Sequence, residues 1–396
     1  MKKILIINSG SSSLKYQLFS CDGNNFEVLC KGLAERIGIE GSSVSFQAKG
    51  GEKQVFKITL DDHKTTLKFI LDLLLKNSLK SIDELWGIGH RLGHGGEYFD
   101  KSVIIDDDVM QKIYATKDLL PLHGKAFIYG IEAMQALLPE IKQVATFDTA
   151  FHQTMPKESY LYALPDEQYE KYRIRRYGFH GTSHYYVSNE LSKVAPQAKK
   201  VISCHLGSGA SITAIKDGKS IDTSFGFAAS CGIVMGTRCG DIDAYIPLYI
   251  MQTQGKTAEE VNLMLNKESG LFALSGGYSD TRDIEKKYYE NDEKAITAVN
   301  IYVHNIIKYI GAYTAELGGV DAIIFTAGVG ENSSFLRQKI CERLLFMGVE
   351  IDEVANQTRG EFVELSTQNS KVKIYVIPTN EELVIAQDTY NLLSNN

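Results

Sequence analysis

Seven of the nine histidines lie in glycine-bearing loops or beside a glycine turn, in the company of arginine and aspartate. "GHRLGHGGEYF" (89–99) carries His90, Arg91 and His94, and "LLPLHGKAF" (119–127) carries His123. "VATFDTAFH" (144–152) sets Asp148 at the end of an apolar run. "RRYGFHGTSHYY" (175–186) holds Arg175, Arg176, His180 and His184, and "MGTRCGDID" (235–243) holds Arg238, Asp241 and Asp243. Arginine with histidine suits an anionic transition state, and carboxylates suit Mg2+. His90-x3-His94 and His180-x3-His184 have the spacing of metal ligands. The first is glycine-rich and neither brings the glutamate of an HExxH motif, so zinc is the lesser reading. Arg175-Arg176 reads as a solvated face, and Asp106-Asp107-Asp108 as a charged turn. Any one of these histidines could equally be a structural residue with its hydrogen bonds satisfied.

Glycine turns are the second chemical signal. Gly10, Gly207, Gly209, Gly328 and Gly330 each follow an apolar strand. Without a side chain, backbone N–H groups can approach a phosphate. One such turn alone reads as an ordinary hairpin. Several at strand ends, in a repeated setting, read as a nucleotide site. "NSGSSSLK" (8–15) is not a Walker A loop: no second glycine precedes Lys15, and the stretch joins two strands instead of opening a helix.

The elements that must hold these loops follow from hydrophobic pattern. Residues 3–7 are an apolar run, hence a buried strand, and Leu14, Tyr16 and Leu18 alternate into a second one before Asp22-Gly23. "VISCHLGSGASITAIKDG" (201–218) repeats that strand–turn–strand pattern, with Ile212 and Ala214 alternating against Thr213 and Ile215. His205 lies 197 positions after Asn8, against a half-length of 198, which suggests two similar domains. Helical spacing marks 64–77, 124–138 (ended by Pro139), 257–266 with the capping box Thr257/Glu260, and about 293–317, stopped by Gly318-Gly319. Two later units read strand–loop–helix. Residues 322–325 lead through a loop at 326–332 to a helix over about 334–346. Residues 372–377 lead to a final helix capped by Thr379 and Glu382.

Composition bounds the function. The chain of 396 residues fits two domains and has a net charge of −7, which argues against nucleic acid or an anionic membrane as partner. The apolar run after Met1-Lys2-Lys3 is too short for a signal peptide, no run is long enough for a membrane span, and the six cysteines form no CxxC pair. The expectation is a cytoplasmic protein with reduced thiols.

Taken together, "NSGSSSLK", "GHRLGHGGE", "ATFDTAFH", "YGFHGTSH", "HLGSGAS", "MGTRCGDID", "TAGVGENS" and "NEEL" resemble, in order and across the whole chain, the acetate kinase family of the acetate/sugar kinase, Hsp70 and actin superfamily. The resemblance implies an α/β fold of two duplicated actin-like (ribonuclease H-like) domains, with mixed sheets flanked by helices. They would span 1–150, joined by the last helix at about 380–396, and 151–379, with nucleotide site and dimer interface. It implies a homodimer that clasps ATP and Mg2+ and transfers the γ-phosphoryl group reversibly to a short-chain carboxylate. By the resemblance, Asp148, His180, Arg238 and Arg91 are catalytic, and Asn8 and Glu381 are Mg2+ partners. Arg91, Gly93, Leu122, His123, Phe179 and Ala229 would hold the acyl substrate. Lys15, His205, Leu206, Gly207, Ser208, Gly209, Asp280, Thr281, Arg282, Gly328, Val329, Gly330, Glu331 and Asn332 would hold the nucleotide.

Several positions depart from the family pattern. Ser208 replaces an asparagine, Ala228-Ala229-Ser230-Cys231 replaces Thr-Pro-Leu-Glu, and Ala244 replaces a proline. Gly93 and Ala229 stand where the acyl pocket has valine and proline, so a chain longer than acetate, such as propionate or butyrate, should be tolerated or preferred. A carboxylic acid is already ionised at pH 7 and needs no base, so Asp148 is expected to orient Mg2+, water or an arginine. The rivals are a propionate- or butyrate-type kinase and, in another class, an actin- or Hsp70-like ATPase switch. The switch has no use for Arg91, His123, His180 and Arg238 together.

Overall fold

The computed structural model describes residues 1–23, 25–119 and 124–395. They form two compact units: Met1–Ala150 with Asn380–Asn396, and Phe151–Thr379. Each is built on one mixed sheet flanked by helices.

The first unit contains β1 (Lys2–Ser9), β2 (Ser13–Asp22), β3 (Asn25–Glu35), β4 (Ser43–Ala48), β5 (Gln54–Lys57), β6 (Leu85–Leu92), β7 (Val103–Ile104) and β8 (Gln143–Phe147). Their order across the sheet is β5-β4-β3-β2-β1-β6-β8-β7. The second contains β9 (Lys200–Leu206), β10 (Ala210–Lys216), β11 (Lys219–Thr223), β12 (Ala322–Thr326), β13 (Val363–Glu364) and β14 (Lys373–Val376), ordered β11-β10-β9-β12-β14-β13. The five-strand cores β3-β2-β1-β6-β8 and β11-β10-β9-β12-β14 have one plan. Three strands run antiparallel, and two more join the first of them in parallel. The strand–turn–strand echo in the sequence is therefore β1–β2 against β9–β10.

The apolar run of β1 has no polar face because both faces are covered. Leu5 and Ile7 join a core with Leu67, Ile70, Leu74 and Met134 from helices His63–Asn77 and Gly124–Leu137. Ile4 and Ile6 pack instead on Ile385 and Ala386 of the last helix, Glu381–Ser394. That helix lies close enough to need Gly89, where a Cβ would come within 2.6 Å of Ile385. In the second unit, Val201, Ala322 and Ile324 pack on Val187 and Leu191 of helix Gly181–Val194. The helix Glu293–Leu317, ended by Gly318 at φ 64°, touches β9 and β10. Hence β10, read as alternating, is buried on both faces from Ala210 to Ile215.

Four expectations are corrected. Residues 326–332 are not a loop, because Ala327–Asn332 is a short helix followed by Ser334–Glu342. Glu331 makes it so, since its Oε1 accepts from the N–H groups of Ala327 (2.7 Å) and Thr379 (3.0 Å). The last helix is capped by Asn380, whose side chain accepts from Leu383 N–H at 3.1 Å, while Glu382 turns to Lys15 instead of closing a box with Thr379. Asp106 is an N-cap, accepting from Val109 N–H, and Asp107 and Asp108 begin the helix Asp107–Thr116. Arg175 and Arg176 are not a solvated face. Arg175 is buried 3.7 Å over the ring of Tyr160, and Arg176 donates to the carbonyls of Thr223 and Phe225 beside Asp222. The capping box Thr257/Glu260 forms as read.

Candidate active site

In the first unit, strand register assembles the site. Asn8 near the end of β1 lies opposite Lys15 on β2 and Arg91 on β6, so the three side chains leave one face of the sheet. Asp148 directly follows β8 and is tied down by its own N–H, which donates to the Leu92 carbonyl at 2.9 Å. Arg91 Nε donates to both oxygens of Asp148 at 3.1 Å and Nη2 donates to Oδ2 at 2.7 Å. Its Nη1 lies 3.2 Å from Glu381 Oε2, at the start of the last helix. Burial opposes the Arg91 charge, but Asp148 and then Glu381 hold its pKa above the ordinary value. Burial raises the Glu381 carboxyl, and Asp148 and Glu382 add to that against the pull of Arg91. Lys15 pairs with Glu382. One guanidinium between two carboxylates leaves an excess of hard oxygen charge. With the Asn8 amide nearby, that donor set fits Mg2+, which binds through one or two carboxylates plus phosphates and water. Gly93 is buried just past β6. Leu122 and His123 lie outside the described residues.

In the second unit the equivalent strand end carries His205, opposite Ser211 on β10 and Thr326 on β12. His180 occupies the N-cap of helix Gly181–Val194 with φ 58° and ψ 19°. A non-glycine residue held there costs roughly 1–2 kcal/mol. Its ring stacks on His205 with centroids 4.0 Å apart and meets Phe225 edge-on. Phe179, buried, stands edge-on to the same Phe225. Arg238 donates from Nη1 to the Ala229 carbonyl at 2.8 Å. Among the described residues it has no carboxylate partner, and burial alone lowers its pKa. A Cβ at Gly209 would lie 3.5 Å from both Arg238 Nη1 and His180 Nε2. The bare glycine keeps that cationic corner open.

Beside it is a cavity of about 530 Å³, the size range of small-ligand sites, lined by Gly207, Ser208, Asp280, Thr281, Arg282, Gly328, Val329 and Asn332 of the expected nucleotide set. Asp280 caps helix Thr281–Tyr289 and is also gripped by Arg282 Nη2 at 2.6 Å. His205, Leu206, Gly209, Gly330 and Glu331 do not line it, and the Glu331 carboxylate is spent on the backbone amides described above. Gly236, Glu285 and Arg359 also line the cavity and were missed. Burial raises the Glu285 carboxyl, with Arg359 opposing. Gly236 lies inside the motif at 235–243 and Glu285 three residues past Arg282, while nothing local marked Arg359. Glu382 was read as a helix cap and emerged as the partner of Lys15.

The sequence matches the family described as the Acetokinase family over residues 3–387. It is 52% identical to an acetate kinase of Treponema denticola, over 99% of this chain and all of the relative, and 50% identical to one of Thermotoga maritima, over 99% and 98%. Among solved structures, the crystal structure of Porphyromonas gingivalis acetate kinase superposes with a TM-score of 0.94 at 42% identity, covering 99% of this chain and 100% of that one. A propionate kinase from Francisella tularensis gives 0.93 at 42% identity with the same coverage. With the duplicated sheets and matching motifs, the chain belongs to the acetokinase family.

Proposed function

We propose that this phosphotransferase moves the γ-phosphoryl group of ATP reversibly onto acetate, giving acetyl phosphate and ADP by direct in-line transfer. The observation that carries the reading is Arg238, a half-buried guanidinium with no carboxylate partner among the described residues, beside the His180–His205 stack and bare Gly209. Such a corner suits the charge on a phosphoryl group in flight.

In this reading the 530 Å³ cavity takes the nucleoside, with Asp280 to Arg282 and Gly328 to Asn332 around it and the turn at Gly207–Gly209 beside the phosphates. Lys15 and His205 are assigned to the nucleotide. Arg91 is assigned as the clamp of the substrate carboxylate, and Gly93, Leu122, His123, Phe179 and Ala229 are assigned to the acyl substrate. His180 and Arg238 donate to the transferring group. Asp148 abstracts nothing; its two oxygens lock the guanidinium of Arg91 in one orientation. Asn8 and Glu381 would hold Mg2+, which neutralises phosphate charge when bound. We further place the protein in the cytoplasm, in keeping with six unpaired thiols, and as a homodimer.

A hydroxamate assay for acyl phosphate, with ATP, Mg2+ and a panel of C2 to C5 acids, tests the proposal. Acid-dependent hydroxamate is expected. ATP hydrolysis with none formed would instead favour the ATPase switch.

A further inference from the structure

Ser211 on β10 sits between two imidazoles. Its Oγ is 2.9 Å from Nδ1 of His180 and 2.9 Å from Nε2 of His184. Nδ1 of His184 is in turn 2.9 Å from Oγ of Ser203. Ser203, Ser211 and His184 are fully buried. Burial, reinforced by His152 and His205, keeps His184 neutral by driving its pKa well below the ordinary histidine value. A neutral imidazole carries one N–H and a serine one O–H, so with Ser211 donating to one of its two imidazoles the chain of four groups can be ordered in only two ways, while a Ser211 that accepted from both would leave its own buried proton without a use within the chain.

In one order, His184 holds its proton on Nδ1 and donates to Ser203. Ser211 then donates to His184, and His180 must give its Nδ1 proton to Ser211. That leaves the Ser203 hydroxyl proton without an acceptor among the described residues, in a fully buried place. A neutral His180 would then present a bare Nε2. In the other order, Ser203 donates to His184 Nδ1, His184 Nε2–H donates to Ser211, and Ser211 donates to His180 Nδ1. Every proton is used and only lone pairs are left over. A buried unsatisfied donor is the costly defect, so the second order prevails.

We propose that Ser203, His184 and Ser211 are positioning residues that hold His180 as its Nε2–H tautomer, a neutral hydrogen-bond donor beside Gly209 and Arg238 Nη1. The tautomer follows from donor accounting alone, and its kinetic consequence rests on the phosphotransferase reading. Among the described residues, the neighbours of His180 include His205, stacked on it, Phe225 at its edge, Arg238 across Gly209, and His184 through Ser211. The hydroxyl matters because an imidazole with the opposite tautomer offers a lone pair where phosphoryl oxygens need a proton.

The test begins with the wild-type chain, labelled with 15N in its histidine rings. The His180 resonances are identified by their loss in His180→Gln. A protonated Nε2 and a bare Nδ1 are expected, and the reverse pattern overturns the proposal without reference to catalysis. Ser211→Ala should lower kcat about ten- to hundredfold while the KM of ATP stays within about twofold, because the lost interaction acts on the transition state. Ser211→Thr, which keeps a hydroxyl at the same place, should recover most of the rate. Full activity in Ser211→Ala, or a threonine variant as slow as the alanine one, overturns the role. A wild type with the expected tautomer but no acyl phosphate formation would sink the functional reading and leave the tautomer standing.

Discussion

At the level of single residues, Asp148 and the acyl pocket give separable predictions. Asp148 holds Arg91 through three donor–acceptor contacts, so the role we propose for it is orientation of a charge. Asp148→Asn should keep an oxygen but lose the bidentate grip. We expect kcat to fall at least about a hundredfold, with a kcat–pH profile that gains no new limb, because the acid substrate arrives ionised. Near-wild-type turnover would remove Asp148 from any essential role. The second prediction concerns Gly93 and Ala229. Each extra CH2 a substrate can bury is worth ~0.8 kcal/mol, or about fourfold. Propionate should therefore be used with kcat/KM within about tenfold of acetate, measured in parallel. Gly93→Val restores a larger side chain at that wall and should shift that ratio toward acetate. A wild type already preferring acetate by more than tenfold would show that neighbouring side chains have refilled the space. The residues placed in the proposed site were readable because they sit in short glycine-bearing loops. Their joint arrangement was not: His184 stood out beside His180 only as a candidate ligand, and it meets Ser203 and Ser211 only once β9, β10 and a helix are packed.

At the level of elements, hydrophobic period and cap residues located β1, β2, β9, β10, β12, β14 and the longer helices, left elements such as β3, β4 and β11 unread, and failed where one side chain was claimed by a distant partner. Glu331 folds 327–332 into a helical turn by reaching amides at 327 and 379, and Glu382 leaves its cap for Lys15. Arg175 and Arg176 looked solvated as a charged pair, yet an aromatic face and a row of carbonyls bury them. The same burial of polar groups inside strands makes stability depend on pH. His90 within β6 bonds Gln143 at 2.7 Å, and burial pushes its pKa down to about 4 from the usual 6.5. The unfolded chain takes up that proton below pH 6.5 and the folded one only near pH 4. His90 thus contributes stability that is present above pH 6.5 and lost as pH falls through this window, by roughly 3 kcal/mol in all. His184 adds in the same direction. Urea unfolding at about pH 7.5 and about pH 4.5 should show a drop that is smaller by about 2 kcal/mol in His90→Gln, which keeps a donor for Gln143 but cannot protonate. Equal drops in the two proteins would show that carboxylates alone govern the acid response.

At the level of the whole molecule, the duplicated sheet accounts for the architecture and leaves one surface unexplained. The helix Tyr245–Gln254 buries none of its residues, and Tyr245, Ile246, Leu248 and Tyr249 are all exposed. Leu248 is 50% and Tyr249 56% accessible, and the neighbouring helix Ala258–Lys267 adds exposed Leu263. An amphipathic helix on a monomer would turn these side chains inward. A contiguous patch of large apolar side chains left in water marks an association surface, and in a chain that pairs with itself a two-fold axis lets one patch serve both copies. This surface is where we place the proposed homodimer contact. Light scattering on the purified chain should give a mass near twice 44.0 kDa. Leu248→Asp sets like charges against one another near the axis and should return the chain to its single mass at micromolar concentration, with the far-ultraviolet circular dichroism unchanged, since no buried contact is lost. A variant that remains dimeric would move the interface elsewhere, and a wild type that elutes as a monomer would remove the dimer from the proposal altogether.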